Sequence, residues 1–379
     1  MQRLLTYRSA TQQASALLCG FCYAACAQAQ SLPLHNDDGI RAELSQFRAS
    51  TFIDGANQYD ESIIPSQPNT APTTRASIKA SMSYAPAWGH GWRAGVFAAS
   101  HAWMQGTPSS TNAVIVANRS AKPSTNASHS FDVVQQSMQR YGFSTSKEFA
   151  VNWLGGAVIS GAAHVFAVNA FREISASGVL TESANGDLGL VSNNAQYKLG
   201  GEAVFISPPK TLGKGASIDL GLRWGDTNGS HMAVQLADIA SYVRLDHVLQ
   251  TNTRINTNKV SFDANGYIQF APIISGKNAD VPYQPKLHPV ASVSGAYRLS
   301  PAWAVVAGME SAHPMTELSF GGKYNAASQS LQAQLFVNGD IPTSLGITWH
   351  TRYLSLSWRG DKLAADKAKV WGISGQVRF

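Results

Sequence analysis

Ten histidines and 23 carboxylates are the groups that could do acid–base chemistry in this chain. Their spacing offers little. Asp246 and His247 are adjacent, and neighbours in a strand point to opposite faces, so they make a poor catalytic pair. The segment GISGQ (372–376) lacks the second glycine of a nucleophile elbow. The segment PPKTLGKGAS (208–217) has glycines and lysines but not the spacing of a phosphate loop, and reads as a basic turn. The segment DGANQYDE (54–61) offers Asp54, Asn57, Asp60 and Glu61 as calcium ligands, but not at EF-hand spacing, and otherwise reads as a solvated loop. All three cysteines, Cys19, Cys22 and Cys26, fall near the N-terminus. Thiol nucleophiles, zinc–thiolate sites and disulfides are therefore excluded from the rest of the chain. The expectation is no catalytic residue, no metal and no cofactor: the chain reads as a non-enzyme.

What remains is a set of charges and aromatics that some framework must position. Charged residues are only 14% of the 379, well below the roughly 25% usual in soluble domains. No run of about 18 apolar residues follows the N-terminal region, so no transmembrane helix is expected. Residues 1–29 carry Arg3 and Arg8, an apolar core of 12 residues from Ala14 to Ala25, and small-residue cleavage patterns at Ala25-Cys26-Ala27 or Ala27-Gln28-Ala29. This reads as a cleavable signal peptide. A lipoprotein signal ending at Cys26 is the alternative. Removing it leaves 27 basic against 23 acidic residues, a net +4, too small a charge to argue for nucleic acid.

Alternation of period two runs through the remainder. In 76–84, Ala76, Ile78, Ala80, Met82 and Tyr84 oppose Ser77, Lys79, Ser81 and Ser83. In 216–224, Ile218, Leu220, Leu222 and Trp224 oppose Ser217, Asp219, Gly221 and Arg223. Residues 291–299, 303–310 and 344–350 repeat the pattern. Each stretch has about the 9–11 residues that a tilted strand needs to cross a bilayer. Tight turns are expected near 86–91, 142–145, 300–302, 325–328 and 350–352. Longer polar connections are expected at 54–72, 104–129, 273–287 and 360–368. Short turns on one side and long loops on the other predict an all-β, closed antiparallel transmembrane β-barrel at 73–379, of about 14–18 strands with 16–18 favoured. Residues 30–72 read as an N-terminal segment, a candidate first strand plus an external loop.

The C-terminal segment VWGISGQVRF places Trp371, Ile373 and Val377 on one face and stops on Phe379. It resembles the assembly signal of Gram-negative outer-membrane β-barrel proteins. That resemblance implies export, a lipid bilayer and lipopolysaccharide as surroundings, and the barrel-assembly machinery as a partner. Tyr84, Trp92, Trp224, Tyr297, Trp303 and Trp349 are expected to form an aromatic girdle at the headgroups. Lys79, Arg93, Asp219, Arg223, Arg298 and Glu310 are expected to line the lumen. Basic residues outnumber acids there, which predicts a porin-like or gated channel for a polar, weakly anion-preferring solute. The alternatives are a non-channel barrel with a structural, adhesion or polysaccharide-export role and, less favoured, an outer-membrane enzyme.

Overall fold

The computed structural model describes residues 39–48 and 74–378, apart from 108, 111–112, 114–125, 152–155, 184–187, 201–202, 204–205, 226–229, 258–259, 263–267, 271–273, 327, 339–340 and 362–369. The expected signal peptide, the 54–61 loop, Trp153, the Trp371 side chain and Phe379 lie outside the described residues. No described helix is long and apolar enough to cross a membrane.

The chain rises in β1 (Gly39–Arg48), descends in β2 (Thr74–Tyr84), and turns through the short β3 (Ala87–Gly89) into β4 (Trp92–Gly106). That turn needs left-handed backbone, with φ of 89°, 52° and 76° at Gly89, His90 and Gly91. Next come the long antiparallel pair β5 (Ala127–Val151) and β6 (Ala157–Glu182), then β7 (Leu188–Leu199) and β8 (Gly213–Gly225). A further long strand, β9 (His231–Asn256), leads to a small hairpin of β10 (Val260–Phe262) and β11 (Ile268–Phe270). The wall then continues as β12 (Ile274–Tyr283), β13 (Val290–Arg298), β14 (Trp303–Ala312), β15 (Met315–Asn325) and β16 (Gln329–Asn338). It finishes with β17 (Ile341–Thr351), β18 (Leu354–Gly360) and β19 (Val370–Arg378).

Seventeen of these strands form one sheet. β3 belongs to a turn. β7 and β8 follow one another along the same wall position, since β6 pairs with β8 up to Val168 and with β7 from Arg172. β12 and β13 do the same along β9. Setting aside β3, β7 and β12 leaves a circuit of 14, which β1 closes by pairing with both β2 and β19. A closed antiparallel circuit satisfies its backbone strand to strand and has no free edge, which is what a sheet needs in lipid.

The count of 14 corrects the favoured 16–18. Residues 142–145 are not a turn but the middle of β5, where Tyr141 and Phe143 stay outside and Gly142 and Ser144 inside. Residues 274–283 are strand, not loop. β5, β6 and β9 run 25, 26 and 26 residues, far beyond a bilayer crossing, so three strands cover sequence that reads as more.

The outer face carries an apolar band. Met82, Val96, Phe143, Val165, Ile218, Leu318, Phe320 and Ile347 are all exposed on it. Large exposed apolar surface of this extent marks a lipid or protein contact. Above the band, β5, β6, β7, β9 and β12 continue as a taller wall. The buried apolar cluster sits inside the ring, not between layers. It comprises Phe97, Met138, Phe166, Val168, Phe171, Val243, Leu245 and Val248.

Candidate functional site

The lumen is organised from the tall rim downward. Facing inward on the tall wall are Ser177, Asn193, Asn252, Arg254, Ser275 and Lys277, which line an open polar vestibule of about 560 Å³. Beneath it lies an aromatic shelf. Tyr197 and Tyr283 stack at 4.2 Å. Tyr283 Oη donates to Glu173 at 2.7 Å, Gln136 Nε2 donates to the same carboxylate at 2.9 Å, and Trp103 Nε1 donates to Gln136 at 3.2 Å. Tyr283 lies beyond the apolar band, and burial followed by the Glu173 contact pushes its hydroxyl pKa well above the ordinary tyrosine value. Trp103 is 7% exposed inside the ring, where its indole meets His313 edge-on at 4.4 Å.

The apolar cluster forms the next layer. Glycines make room for it: a Cβ on Gly215 would lie 2.2 Å from Phe166 Cε2, and one on Gly213 would lie 2.1 Å from Leu245 Cδ2. The glycines of the failed phosphate-loop motif therefore serve aromatic packing. Phe97 meets Phe166 edge-to-face at 6.3 Å, a favoured aromatic geometry.

Below the cluster is a charged chamber with a cavity of about 150 Å³. One wall is a relay across β5, β6, β8 and β9. Arg140 grips Asp238 with two hydrogen bonds of 3.1 and 2.9 Å, and its guanidinium lies 5.1 Å from the Phe166 ring centre. The Asp238 backbone N–H donates to Asp219 Oδ1 at 2.8 Å, and Asp219 Oδ2 binds His164 Nε2 at 2.9 Å. Asp238 can reach inward because β9 bulges there: the register with β8 shifts between Ile218 and Leu220, and Asp238 takes φ of 52°. Bulges re-aim side chains in this way. A second irregularity, between Gln139 and Arg140 on β5, stands opposite. The other wall carries Lys79, 3.5 Å from Glu310, with His101, His288 and His313. Arg359 closes the circuit further round. It bonds Glu317 with both Nη groups, donates to Ser344 at 2.9 Å, and lies 3.9 Å over Phe336.

Of the six residues expected to line the lumen, Lys79, Asp219 and Glu310 come together in this chamber. Arg93 and Arg223 are half-buried near the opposite rim. Arg298 is exposed, and its Nε donates to Ser300 O within its own turn at 3.2 Å. Tyr84, Trp92, Tyr297, Trp303 and Trp349 are exposed near that rim, and Trp224 is half-buried there. Val377 is exposed and Ile373 half-buried on the outer side of β19. Asp246 and His247 part company: Asp246 accepts from Arg244 Nε, and His247 meets Asp280. Sequence reasoning missed Arg140, Asp238, His164 and Arg359. The available signals were a lone aspartate in the apolar run of VQLADIASYV, and the prolines Pro285 and Pro289 that break the ladder around His288.

No protein-family model matches the sequence, and no curated protein does. Solved structures similar to the chain include a channel and a receptor. One is the TodX monoaromatic hydrocarbon channel in its deltaS2S3 mutant form, at TM-score 0.42 and 10% identity over 94% of this chain and 96% of that one. The other is the siderophore receptor PirA from Pseudomonas aeruginosa, at TM-score 0.21 and 9% identity over 91% and 81%.

Proposed function

We propose that this chain is an outer-membrane channel that passes a polar solute and is gated, not permanently open. The supporting observation is the layered lumen: a polar vestibule and a charged chamber, separated by an apolar cluster inside a ring whose outside is apolar. Other inward positions are also covered, with Ser344 and Thr348 each 1% exposed and Arg359 5%. A barrel of this size has room for a bore, so side chains that fill it must move before anything passes. Lipid and lipopolysaccharide contact the outer band, and the barrel-assembly machinery inserts the chain. Of the charges that led the sequence to suggest an anion, Lys79 is paired with Glu310, and the further lumen cations Arg140 and Arg359 are paired with Asp238 and Glu317. The solute is therefore polar, not specifically anionic.

Planar-bilayer recording tests the gate. The wild type should show rare, small conductance steps. Phe97→Ala with Phe166→Ala should give frequent, larger ones, because hydrophobic constrictions gate by excluding water. A wild type with a permanent porin-sized conductance, or a double variant indistinguishable from it, would refute the gate.

A further inference from the structure

The chamber contains two polar atoms that the protein leaves unused. His164 Nδ1 and Ser217 Oγ are buried and have no hydrogen-bond partner. His164 is 7% exposed and Ser217 3%. The two residues face each other directly across β6 and β8, and both line the 150 Å³ cavity. Ser217 sits beside the Asp238 carboxylate and helps to stabilise its charge, but its oxygen completes no well-formed hydrogen bond. Buried polar groups are nearly always paired, and each exception needs an explanation.

Everything else in that wall is committed. Both oxygens of Asp238 accept from Arg140. Both oxygens of Asp219 are engaged, one by the Asp238 N–H and one by His164 Nε2. The carboxylate accepts, so Nε2 carries a proton, and in the imidazole form of the ring Nδ1 presents a bare lone pair. The neighbouring hydroxyl can donate. The free chemistry is therefore one acceptor and one donor, side by side.

We infer that the chamber is a binding site for a small neutral solute of the amide type. Its N–H donates to His164 Nδ1 and its carbonyl accepts from Ser217 Oγ–H. The Phe97 ring, edge-on to His164 at 5.5 Å, covers the apolar end of the molecule. A charged solute fits poorly. Around the chamber Lys79 and Arg140 face Glu310, Asp219 and Asp238, so an added anion meets no unengaged cation in the relay, and burying an uncompensated charge is costly. This inference specifies the substrate class within the channel reading above.

The test is saturation-transfer NMR on the full chain in detergent, with propionamide, propionate and propylammonium at equal concentration. Propionamide should show transfer at least threefold stronger than either ion. Ser217→Ala should weaken the propionamide signal at least threefold. The same variant should unfold at the wild-type temperature or above, because it removes an unsatisfied buried group. A merely structural serine would instead lower that temperature. Equal transfer to propionate, an unchanged signal in Ser217→Ala, or a lowered unfolding temperature would each overturn the assignment. Binding needs no transport. A barrel that binds propionamide and conducts nothing overturns the channel reading alone, and a conducting barrel that ignores propionamide overturns this inference alone.

Discussion

Replacing Arg140 with alanine should expose how much the chamber depends on its charge relay. The guanidinium makes two bonds to Asp238, and the pair is 19% and 13% exposed at its side chains. Without it, Asp238 faces Asp219 across a single backbone hydrogen bond, two carboxylates with His164 and the Ser217 hydroxyl beside them. Stripping one partner from a buried pair costs about 3–5 kcal/mol. Residual water contact argues for the lower end, about 3 kcal/mol, or roughly a hundredfold in the folded-to-unfolded ratio. The assay is the urea midpoint of the heat-modifiable band on a cold detergent gel, after refolding into lipid vesicles. Arg140→Ala combined with Asp238→Asn should recover most of the loss, since the orphaned charge goes with its partner. The exposed pair Arg244–Asp246, at 57% and 47% exposure, is the control, and Arg244→Ala should lose nothing measurable. If Arg140→Ala stays within about 0.5 kcal/mol of wild type, the range of an ordinary surface substitution, the pair is water-screened and the relay is not a rigid wall.

Two further predictions concern the ends of the molecule. Deleting Phe379 should leave a chain that is exported but not inserted, visible as loss of the fast-migrating folded band in outer-membrane fractions; a normal folded band would remove the terminal-signal argument. Tyr283 has its pKa raised by burial and by Glu173, so from pH about 10 upward the unfolded chain releases the proton first and stability falls. In an alkaline unfolding series the wild type should lose more than Tyr283→Phe, and parallel slopes would mean that the hydroxyl is not held by Glu173.

The sequence was legible where one face of a strand is apolar and the other is not. In 216–224 and 303–310 each outward residue is apolar and each inward one but Val306 is small or polar, so strand and face follow directly from period two. Higher up the wall that pattern fades. In SHSFDVVQQ (128–136) polar residues fall on both faces, and nothing distinguishes a tall strand from a loop, which is why β5, β6 and β9 read as more pieces than they are. The chamber was hidden for another reason. His164 and Asp219 are 55 positions apart, Arg140 and Asp238 98, and neither pair has a local signature. The bulge at Asp238 adds two residues to β9 against β8, with Ile218 opposite Ala240 and Leu220 opposite Leu236, so Asp238 turns inward although the even positions Met232, Leu236 and Tyr242 around it face outward, and counting by twos assigns it to the wrong face. Lys79, Asp219 and Glu310 were found only because they lie on regular strands.

The closing seam between β1 and β19 sets the order of events in the life of this protein. Ile40 lies opposite Val377, and Leu44 opposite Ile373, so the seam joins residues from the two extremes of the sequence. Loop-closure entropy grows only with the logarithm of length, so so distant a join costs the finished barrel little. It weighs heavily on the rate, because pairings remote in sequence form late. Until β19 arrives, the sheet is an open ribbon with two adhesive margins, each able to recruit a neighbouring chain. The finished ring is inert because that interval has ended. A variant that only weakens the seam would thus show itself as aggregate during biogenesis, while the barrels that did close would behave as wild type.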